Sequence, residues 1–490
     1  MKNNKILFPV FLVALFTCLF SCNTDLLSPV PPTAFSDKVV FDTPARIELQ
    51  ANGLYAFVKS GNFYGGRYIV YGDIRANDFL NATSNGVTGF GVWNHTLQET
   101  SINDVNNLWI AAYAAINQIN LFIKGMEDNT GKFVAPAFPA IFATVTAPAY
   151  IGEARLLRAL TYYSLLQLYA RPFADGNGTK PGLPLRLLAE TNSLNNDLAR
   201  STVAEIYAQI LSDLNSAEVS LPLTRTNAAE NITKAHRNTA IALKTRVHLS
   251  MGNYPALITD ANKIVPQNVA PFSATSGAPN ALAATIGAVF SAPQQSVESI
   301  FSLPFTAQNT PGGQNQLGFY FTGEYSMNTG AGSIVADAAN WPATDARRAW
   351  LTPLPATTRF LRGKYPSGTP FLDNAPVIRY SEVLLNLSEA IARTTAGVDA
   401  KALALLNAVR RRSDASVTLA PATNDDLIAA ILIERRIEFL GEGLRNNDIM
   451  RLLLPIPAKA SIPAVNPTDA NYIWPIPFSE IAGNALIGRN

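Results

Sequence analysis

Apolar residues recur along most of this chain at intervals of three and four, a pattern typical of amphipathic helices. One predicted helix starts at Thr202, where a hydroxyl stands three residues before Glu205 as in a capping box. Another ends at Gly252, and the next begins near Tyr254. The stretch from Glu153 to Tyr169 is apolar nearly all round, so we expect it to be buried on most of its faces.

The same periodicity predicts helices over residues 109–122, 380–393, 402–412 and 427–440. The turn at Gly252 and Tyr254 resembles that of a tetratricopeptide hairpin, in which glycine closes one helix and tyrosine packs against the start of the next. Stacked helix pairs are a natural way to bury so many two-sided apolar helices. We therefore expect a mainly α protein, with a tetratricopeptide-like scaffold of helical pairs.

Residues 264–346 depart from this pattern. They contain no Lys or Arg and are rich in Gly, Ser, Asn, Gln, Thr and Pro, with one candidate strand over residues 299–305. We predict a loop-rich excursion laid over the helical scaffold. Loops held on a rigid scaffold commonly carry binding function, which places the excursion on the expected ligand face. A surface elaboration without any contact role is the alternative.

The N-terminus has the pattern of an export signal. Lys2 and Lys5 precede an apolar run over residues 6–20, which is shorter than the roughly 20 residues of a membrane-spanning helix but has the length of a signal-peptide core. The run ends in Leu-Phe-Ser-Cys, similar to a bacterial lipobox. We predict a signal peptide over residues 1–21, acylation of Cys22, a tether over residues 22–45 and a single domain over residues 22–490. An ordinary signal peptide with a chance cysteine is the alternative.

Composition narrows the function classes. The chain has 490 residues, of which 48% are hydrophobic and 15% charged, so it can build a large core and is not a disordered chain. Lys and Arg number 38 against 36 Asp and Glu; without Lys2 and Lys5 the balance is 36 to 36. A neutral chain argues against a nucleic-acid partner, because phosphate binding requires a basic field.

Sequence patterns of catalytic sites are scarce. The three histidines, His95, His236 and His248, lie in no HExxH helix, and there is no Gly-x-Ser-x-Gly elbow and no P-loop. We therefore predict no enzyme, no metal and no cofactor. A pair of carboxylates for glycoside hydrolysis stays open, because their separation is set in space and not in sequence.

Five segments, spread in order over the chain, carry a family resemblance. They are Gly152–Ala159 (GEARLLRA), Arg379–Leu385 (RYSEVLL), Leu406–Arg410 (LNAVR), Glu434–Phe439 (ERRIEF) and Trp474–Pro477 (WPIP). Together with the lipobox, they resemble the SusD/RagB family of outer-membrane nutrient-binding lipoproteins.

This resemblance implies a tetratricopeptide-like scaffold with a loop-rich ligand face, anchored by lipid at the cell surface. It further implies a lid that captures an oligosaccharide, or in some members a peptide, and delivers it to a SusC-like TonB-dependent outer-membrane transporter without any reaction. A protein-interaction scaffold that binds no small ligand, and a lipid-anchored surface glycan hydrolase, are the alternatives.

The motifs place charges within otherwise apolar helices. Buried charges persist in proteins only when they are paired. We therefore interpret these residues as ion pairs that join helix to helix, with ligand binding as the alternative. They are Glu153, Arg155, Arg158, Arg379, Glu382, Glu389, Glu434, Arg435 and Arg436.

Two stretches, residues 73–94 and 319–341, combine aromatic with short polar side chains, as a sugar-binding loop face requires. Trp93, Tyr320 and Trp341 are the predicted stacking platforms, with Arg75 and Asn77 as hydrogen-bonding partners. Neutral composition favours a neutral sugar, and a peptide stays open. In the alternative, Trp93 anchors the core and the other two rings pack the excursion onto the scaffold.

Overall fold

Helices form most of the computed structural model, which describes residues 39–353 and 358–490. The predicted signal peptide, Cys22 and most of the predicted tether lie outside these residues. The longer helices are α1 (Pro44–Val58), α2 (Arg67–Ile74), α3 (Asn107–Asp128), α4 (Ala147–Tyr169), α5 (Val203–Ser220), α6 (Arg237–Met251), α7 (Tyr254–Ala261), α8 (Tyr380–Thr394), α9 (Ala400–Ser413), α10 (Asn424–Glu438) and α11 (Arg445–Arg451). Shorter helical turns include Phe90–Trp93, Glu230–Thr233, Gly287–Phe290, Leu317–Phe319 and Phe478–Gly483. None of the helices described here combines the length and the hydrophobicity needed to cross a membrane.

From α3 to α9, each of these long helices packs against the next one along the chain. This arrangement confirms the predicted mainly α, tetratricopeptide-like stacking. Helix α4 contacts α3 and α5, and every residue from Gly152 to Tyr169 except the half-buried Arg155 is buried. The all-round apolar pattern of that segment therefore reflects a helix enclosed by its neighbours, as expected.

Local sequence signals set the helix boundaries. The Glu205 backbone N–H donates to the Thr202 hydroxyl at 3.2 Å, and the Thr202 N–H donates to the Glu205 carboxylate at 2.7 Å, so the predicted capping box is confirmed. Gly252 ends α6 with φ at 68°, a left-handed conformation that glycine adopts without strain. Helix α10 begins at Asn424 and not at 427, because Thr423 and Asp426 form a second capping box.

The strands are short and pair two by two. They are β1 (Phe79–Asn81), β2 (Pro181–Pro184), β3 (Arg200–Thr202), β4 (Ser299–Leu303), β5 (Tyr325–Met327), β6 (Thr352–Pro353), β7 (Arg359–Phe360) and β8 (Ala375–Arg379). The antiparallel pairs are β1 with β5, β2 with β3, β4 with β8 and β6 with β7. Strand β4 confirms the strand predicted from residue 299, and it stops at Leu303 because Pro304 has no N–H to continue a ladder.

Strand β4 joins the excursion to the helical scaffold. Its partner β8 leads directly into α8, with Ser299 opposite Arg379. The Tyr380 N–H at the start of α8 donates to the Glu298 carbonyl at 2.8 Å. Residues far apart in the chain, at the start of β4 and the end of β8, therefore meet at one point in the core.

A network of buried ion pairs surrounds that point. Arg379 contacts Glu298 at 2.5 Å, Glu438 at 2.8 Å and Glu442 at 2.7 Å. The cations of this buried ion network are Arg347, Lys364, Arg379, Arg410 and Arg412, and its carboxylates are Glu298, Asp345, Glu434, Glu438 and Glu442. Five positive charges thus face five negative ones, so the network is neutral as a whole.

Neutrality is what lets these charges remain ionised inside the protein. Burial alone would raise the pKa of Glu438, but the charges of Arg412, Arg379 and Arg347 outweigh that effect and hold the pKa well below its ordinary value. Burial lowers the pKa of Lys364 to about 8, and Glu442 opposes that shift only in part. Burial would likewise raise the pKa of Glu442, but Arg379 and Lys364 lower it. Glu438 and Glu442 are therefore stabilised in their charged form.

The other motif charges also pair between elements. Arg158 contacts Asp213 at 2.7 Å, and Glu153 contacts Arg225 at 2.8 Å. Further pairs join Arg246 to Glu382, Arg451 to Glu389, Arg435 to Asp448 and Arg436 to Asp78. Arg155 is half-buried and donates to the Ser216 hydroxyl. The architectural interpretation of the motif charges is thereby confirmed.

Removing one cation should destabilise the whole fold. In Arg379→Ala, Glu298, Glu438 and Glu442 lose a buried partner, so we expect the free energy of unfolding to fall by roughly 3–5 kcal/mol. Denaturant unfolding followed by circular dichroism measures this. Lys124→Ala is the control, because Lys124 pairs with Asp128 in an exposed position and should matter little. Equal stability of both variants and the wild type would contradict the network's structural role.

Candidate functional site

The two stretches predicted for the ligand face do meet in the structure. Strand β1 pairs with β5, so that Phe79 lies opposite Met327. The Asn77 side-chain amide donates to the Gly332 carbonyl at 2.9 Å, and that of Asn328 donates to the Asn77 carbonyl at 2.8 Å. The excursion therefore lies directly on the loop that follows α2.

The five predicted ligand residues, however, are buried in this arrangement. Tyr320 and Trp341 are 0% exposed, Arg75 is 2%, Asn77 is 7% and Trp93 is 8% exposed. A pyranose ring stacks on an aromatic face that it can reach, and these faces are covered. Stacking on them would require the covering groups to move, so their role in ligand binding stays a prediction.

Each of the three rings has packing partners that account for its position. The Trp93 Nε1 donates to the Phe79 carbonyl at 3.0 Å. The guanidinium of Arg348 lies 4.2 Å from the centroid of the Trp341 ring. The Tyr320 ring stacks on that of Tyr325, with ring centroids 6.3 Å apart. The Trp93 contact fits the alternative in which that ring anchors the core, whereas the Tyr320 and Trp341 contacts named here lie within the excursion or at its end. The Trp341 Nε1 has no hydrogen-bond acceptor within the described residues, which packing alone does not explain.

Arg75 and Asn77 point to different partners. The Arg75 guanidinium donates to the Asn446 side chain at 2.7 Å and to the Tyr472 carbonyl at 2.8 Å. The side-chain oxygen of Asn77 instead accepts from the Arg436 guanidinium at 3.1 Å, next to the excursion. The structure thus does not bring these two polar groups together at one ligand position.

A concave site that the sequence did not reveal lies along α3. This groove, here called the α3 groove, has a volume of about 430 Å³. It is lined by Trp109, Ile110, Tyr113, Ala114, Ile116, Asn117, Asn120, Arg186, Glu190, Asn196, Ser479, Glu480 and Gly483. Its size is within the roughly 300–1,000 Å³ of typical ligand pockets.

One wall of the α3 groove is aromatic and apolar. Trp109 and Tyr113 are four residues apart on α3, so they lie on one face of the helix, with ring centroids 4.7 Å apart. Ile110 is 51% exposed beside them. The Tyr113 hydroxyl donates to the Pro184 carbonyl at 2.9 Å, which fixes the ring at the edge of the groove. Burial raises the pKa of Tyr113 well above its ordinary value, so the hydroxyl stays protonated at neutral pH.

The opposite wall is polar and held in place by its own contacts. Arg186 lies between two carboxylates, 2.9 Å from Glu190 and 3.4 Å from Glu480. Asn117 donates to the Glu190 carbonyl at 2.9 Å and accepts from its N–H at the same distance. Glu480 also accepts from Trp109 Nε1 at 3.2 Å, which links the two walls. Trp109 is 2% exposed, so its ring is covered, and the half-buried Tyr113 is the ring of this wall on which a sugar can stack while its hydroxyls donate to the carboxylates and amides.

Sequence reasoning missed this groove for a physical reason. The spacing of Trp109 and Tyr113 was a visible signal, since both lie in a predicted helix. The polar wall comes from residues 186–196 and 479–483, which only the tertiary fold brings beside α3. Within residues 39–353 and 358–490, no group of three or more His, Cys, Asp and Glu side chains is placed to hold a metal ion.

Comparisons with known proteins define the class. A family model described as "Starch-binding associating with outer membrane" matches residues 31–249, and the model of the SusD family matches residues 363–490. A solved SusD superfamily protein from Bacteroides fragilis is 32% identical, covers 92% of this chain and 100% of its own, and superposes with a TM-score of 0.80. The chain therefore belongs to the SusD family of outer-membrane-associated glycan-binding proteins.

Two more distant relatives extend this picture. SusD-like protein P38 of Formosa agariphila is 23% identical over 100% of this chain and 99% of its own. A laminarin-binding SusD-like protein shares the fold at 20% identity, with a TM-score of 0.68 over 92% of this chain and 99% of its own.

Substituting Trp341 tests whether this buried ring packs in the core or serves as a stacking platform for a ligand. Trp341→Ala removes a fully buried ring and leaves a cavity, so we expect a loss of roughly 3–5 kcal/mol in the free energy of unfolding. Thermal and denaturant unfolding measure this, with the partly exposed Phe57→Ala as the control. A Trp341→Ala protein as stable as the control would show that the ring does not pack as described, and would return it to the ligand-binding hypothesis.

Proposed function

We propose that this protein is a cell-surface lipoprotein that binds a glycan, most simply a neutral oligosaccharide, and delivers it to a SusC-like TonB-dependent transporter in the outer membrane. Membership of the SusD family, matched at both ends of the chain, carries this proposal. The family description names starch binding and outer-membrane association, and one relative of the same fold binds laminarin.

The α3 groove is the position we propose for glycan contact. Ile110 is exposed and Tyr113 is half-buried, so the two side chains offer a partly accessible apolar surface, and Glu190 supplies acceptor oxygens for sugar hydroxyls. The face around β1 and β5 is a second candidate position, where Phe90 is half-buried beside Trp93. Trp93, Tyr320 and Trp341 would contribute there only if the groups that cover them moved.

Anchoring through Cys22 completes the proposal. It rests on the lipobox-like sequence that precedes Cys22 and on the outer-membrane association of the family. A single domain after the signal peptide, tethered by residues 22–45, would then present the glycan above the transporter. Mass spectrometry of the membrane fraction should find lipid on Cys22, and a mature chain that begins elsewhere without lipid would remove the anchor from this account.

We propose that the bound glycan is released chemically unchanged. The nearest alternative, a surface hydrolase, needs two carboxylates placed on either side of a glycosidic bond. In the α3 groove, Glu190 and Glu480 are both engaged by Arg186, which suits binding better than proton transfer.

Incubation with a glycan panel tests this function. Laminarin and starch oligosaccharides, with an unrelated peptide for comparison, are titrated calorimetrically against the folded chain and then analysed for cleavage. We expect saturable binding of one glycan class and recovery of intact ligand. Cleavage products would favour the hydrolase, and binding of no glycan would favour the protein-interaction scaffold.

A variant of the groove locates the contact. Tyr113→Ala should weaken glycan binding roughly threefold to tenfold, since an aromatic contact contributes about 0.5–1.5 kcal/mol. Tyr254→Ala is the matched control, because Tyr254 is half-buried on α7 and does not line the groove. Equal affinities of the two variants and the wild type would exclude the α3 groove as the glycan site without excluding glycan binding.

A further inference from the structure

Three buried cations, Arg67, Arg75 and Lys459, form no ion pair with a carboxylate within the residues that the structure describes. Arg75 is 2% exposed and Lys459 is 3% exposed. The buried cations of the ion network, such as Arg347 and Lys364, each contact at least one carboxylate. Within the described residues, neither Arg75 nor Lys459 forms an ion pair. An unpaired buried charge is costly, so each of these cations needs an explanation. Arg67 donates to the Asn315 side chain at 2.8 Å and to the Asn103 carbonyl, and its charge acts on the neighbouring Asp104. In the described part of the chain, Arg75 and Lys459 have no such free carboxylate beside them.

Both cations are held by neutral groups. Lys459 Nζ donates to the carbonyls of Ile74 at 2.7 Å, Arg75 at 2.6 Å and Ala76 at 3.0 Å. Arg75, as described above, donates to a side-chain amide and a backbone carbonyl. Carbonyl dipoles orient these cations but do not neutralise them. Asp78 acts on Lys459 at a distance, but its carboxylate is already paired with Arg436 at 2.5 Å.

The local field is therefore positive. Burial lowers the pKa of Arg75 to about 10. Burial lowers the pKa of Lys459 well below its ordinary value, and the charge of Arg75 lowers it further. His95, whose Nε2 lies 3.5 Å from Lys459 Nζ, has its pKa lowered to about 2 by burial and by the same two cations. His95 is thus neutral, and the positive charge of Arg75 has no carboxylate to balance it within the described residues.

A cavity opens beside these charges. It has a volume of about 210 Å³, and Arg75, His95, Asn471, Trp474 and Asn490 are among the residues that line it. Asn471 and Asn490 are exposed and form its mouth, so the cavity is open to solvent. His95 lines the cavity, and its backbone φ is 61°. This left-handed conformation is uncommon for residues other than glycine.

We propose that this Arg75 cavity binds a small oxyanion, a carboxylate or sulfate group such as an acidic sugar carries. The negative group would pair with the Arg75 guanidinium and be balanced by Lys459 behind it, while the amide of Asn471 donates from the mouth. The volume is several times the roughly 30 Å³ of one water molecule but below that of a pocket for a long oligosaccharide. It therefore fits one charged group or one acidic monosaccharide.

This site is independent of the proposed glycan contact in the α3 groove. The two cavities share no lining residue. An acidic glycan could use the Arg75 cavity alone or together with the groove, whereas a neutral glycan would use only the groove. Failure of one proposal therefore leaves the other standing.

Titration with simple oxyanions tests the proposal. Sodium sulfate, sodium phosphate, glucuronate and glucose are titrated against the folded chain by calorimetry, at constant ionic strength in chloride. We expect saturable binding of the anions and none of glucose at the same concentrations. Tighter binding of glucuronate than of sulfate or phosphate would identify an acidic sugar as the source of the group, and the reverse order a free oxyanion.

Two variants connect the binding to the cavity. Arg75→Gln should weaken anion binding at least tenfold, and Asn471→Asp should weaken it at least fivefold by placing a negative charge at the exposed mouth. Asn471→Asp should fold normally, so it serves even if Arg75→Gln does not. Lys124→Gln, which removes an exposed positive charge on α3, is the matched control and should bind as the wild type does.

Four results would overturn the proposal, and three of them concern the binding measurements themselves. They are the absence of saturable binding by every anion, equal binding of glucose and glucuronate, and undiminished anion binding by Asn471→Asp. A loss of binding in Lys124→Gln as large as that in Asn471→Asp would also overturn it, because the effect would then reflect net charge and not the cavity.

Discussion

The pairing of Arg379 with Glu298, Glu438 and Glu442 is the contact on which the rest of this structure depends. Moving these charges out of water is costly, and only the close, complete pairing of the network offsets that cost. The carboxylates come from the residue directly before β4, from the end of α10 and from the turn after α10, while Arg379 is the last residue of β8, directly before α8. The network therefore joins elements that are distant in the chain at one position.

The composition of the excursion follows from this arrangement. Residues 264–346 contain no Lys or Arg, and two of their carboxylates, those of Glu298 and Asp345, enter the network as partners of arginines that lie outside the excursion. A positive side chain at those positions would oppose Arg379 or Arg410. The segment that lacks Lys and Arg is thus joined to the scaffold through the buried carboxylates of Glu298 and Asp345.

Much of the helical scaffold could be predicted because its signals are local. The capping box of Thr202 and Glu205 and the glycine at 252 act within one helical turn, and both boundaries are where the sequence placed them. The motif charges were interpretable because a charge within an apolar helix requires a partner. The identity of most partners was not predictable, since Glu298 and Arg379 are separated by the whole length of the β4–β8 connection.

The candidate ligand sites were predicted less well, and for the opposite reason. Whether Trp93 or Trp341 faces solvent depends on the pairing of β1 with β5 and on the position of Arg348, which no local pattern reveals. The α3 groove and the Arg75 cavity are likewise assembled from segments at opposite ends of the chain. Aromatic and polar residues in loops indicated that binding surfaces exist, but not which side chains reach them.

Hydrogen exchange in a Glu298→Gln variant tests most directly whether the network fastens the excursion to the scaffold. The substitution keeps the shape of the side chain and removes the negative charge that contacts Arg379 and Arg412. Peptide-resolved exchange should be faster than in the wild type over β4, β8 and residues 264–346, while α4, α5 and α6 keep their protection. Unchanged exchange in β4, or an equal increase over the whole chain, would contradict this account.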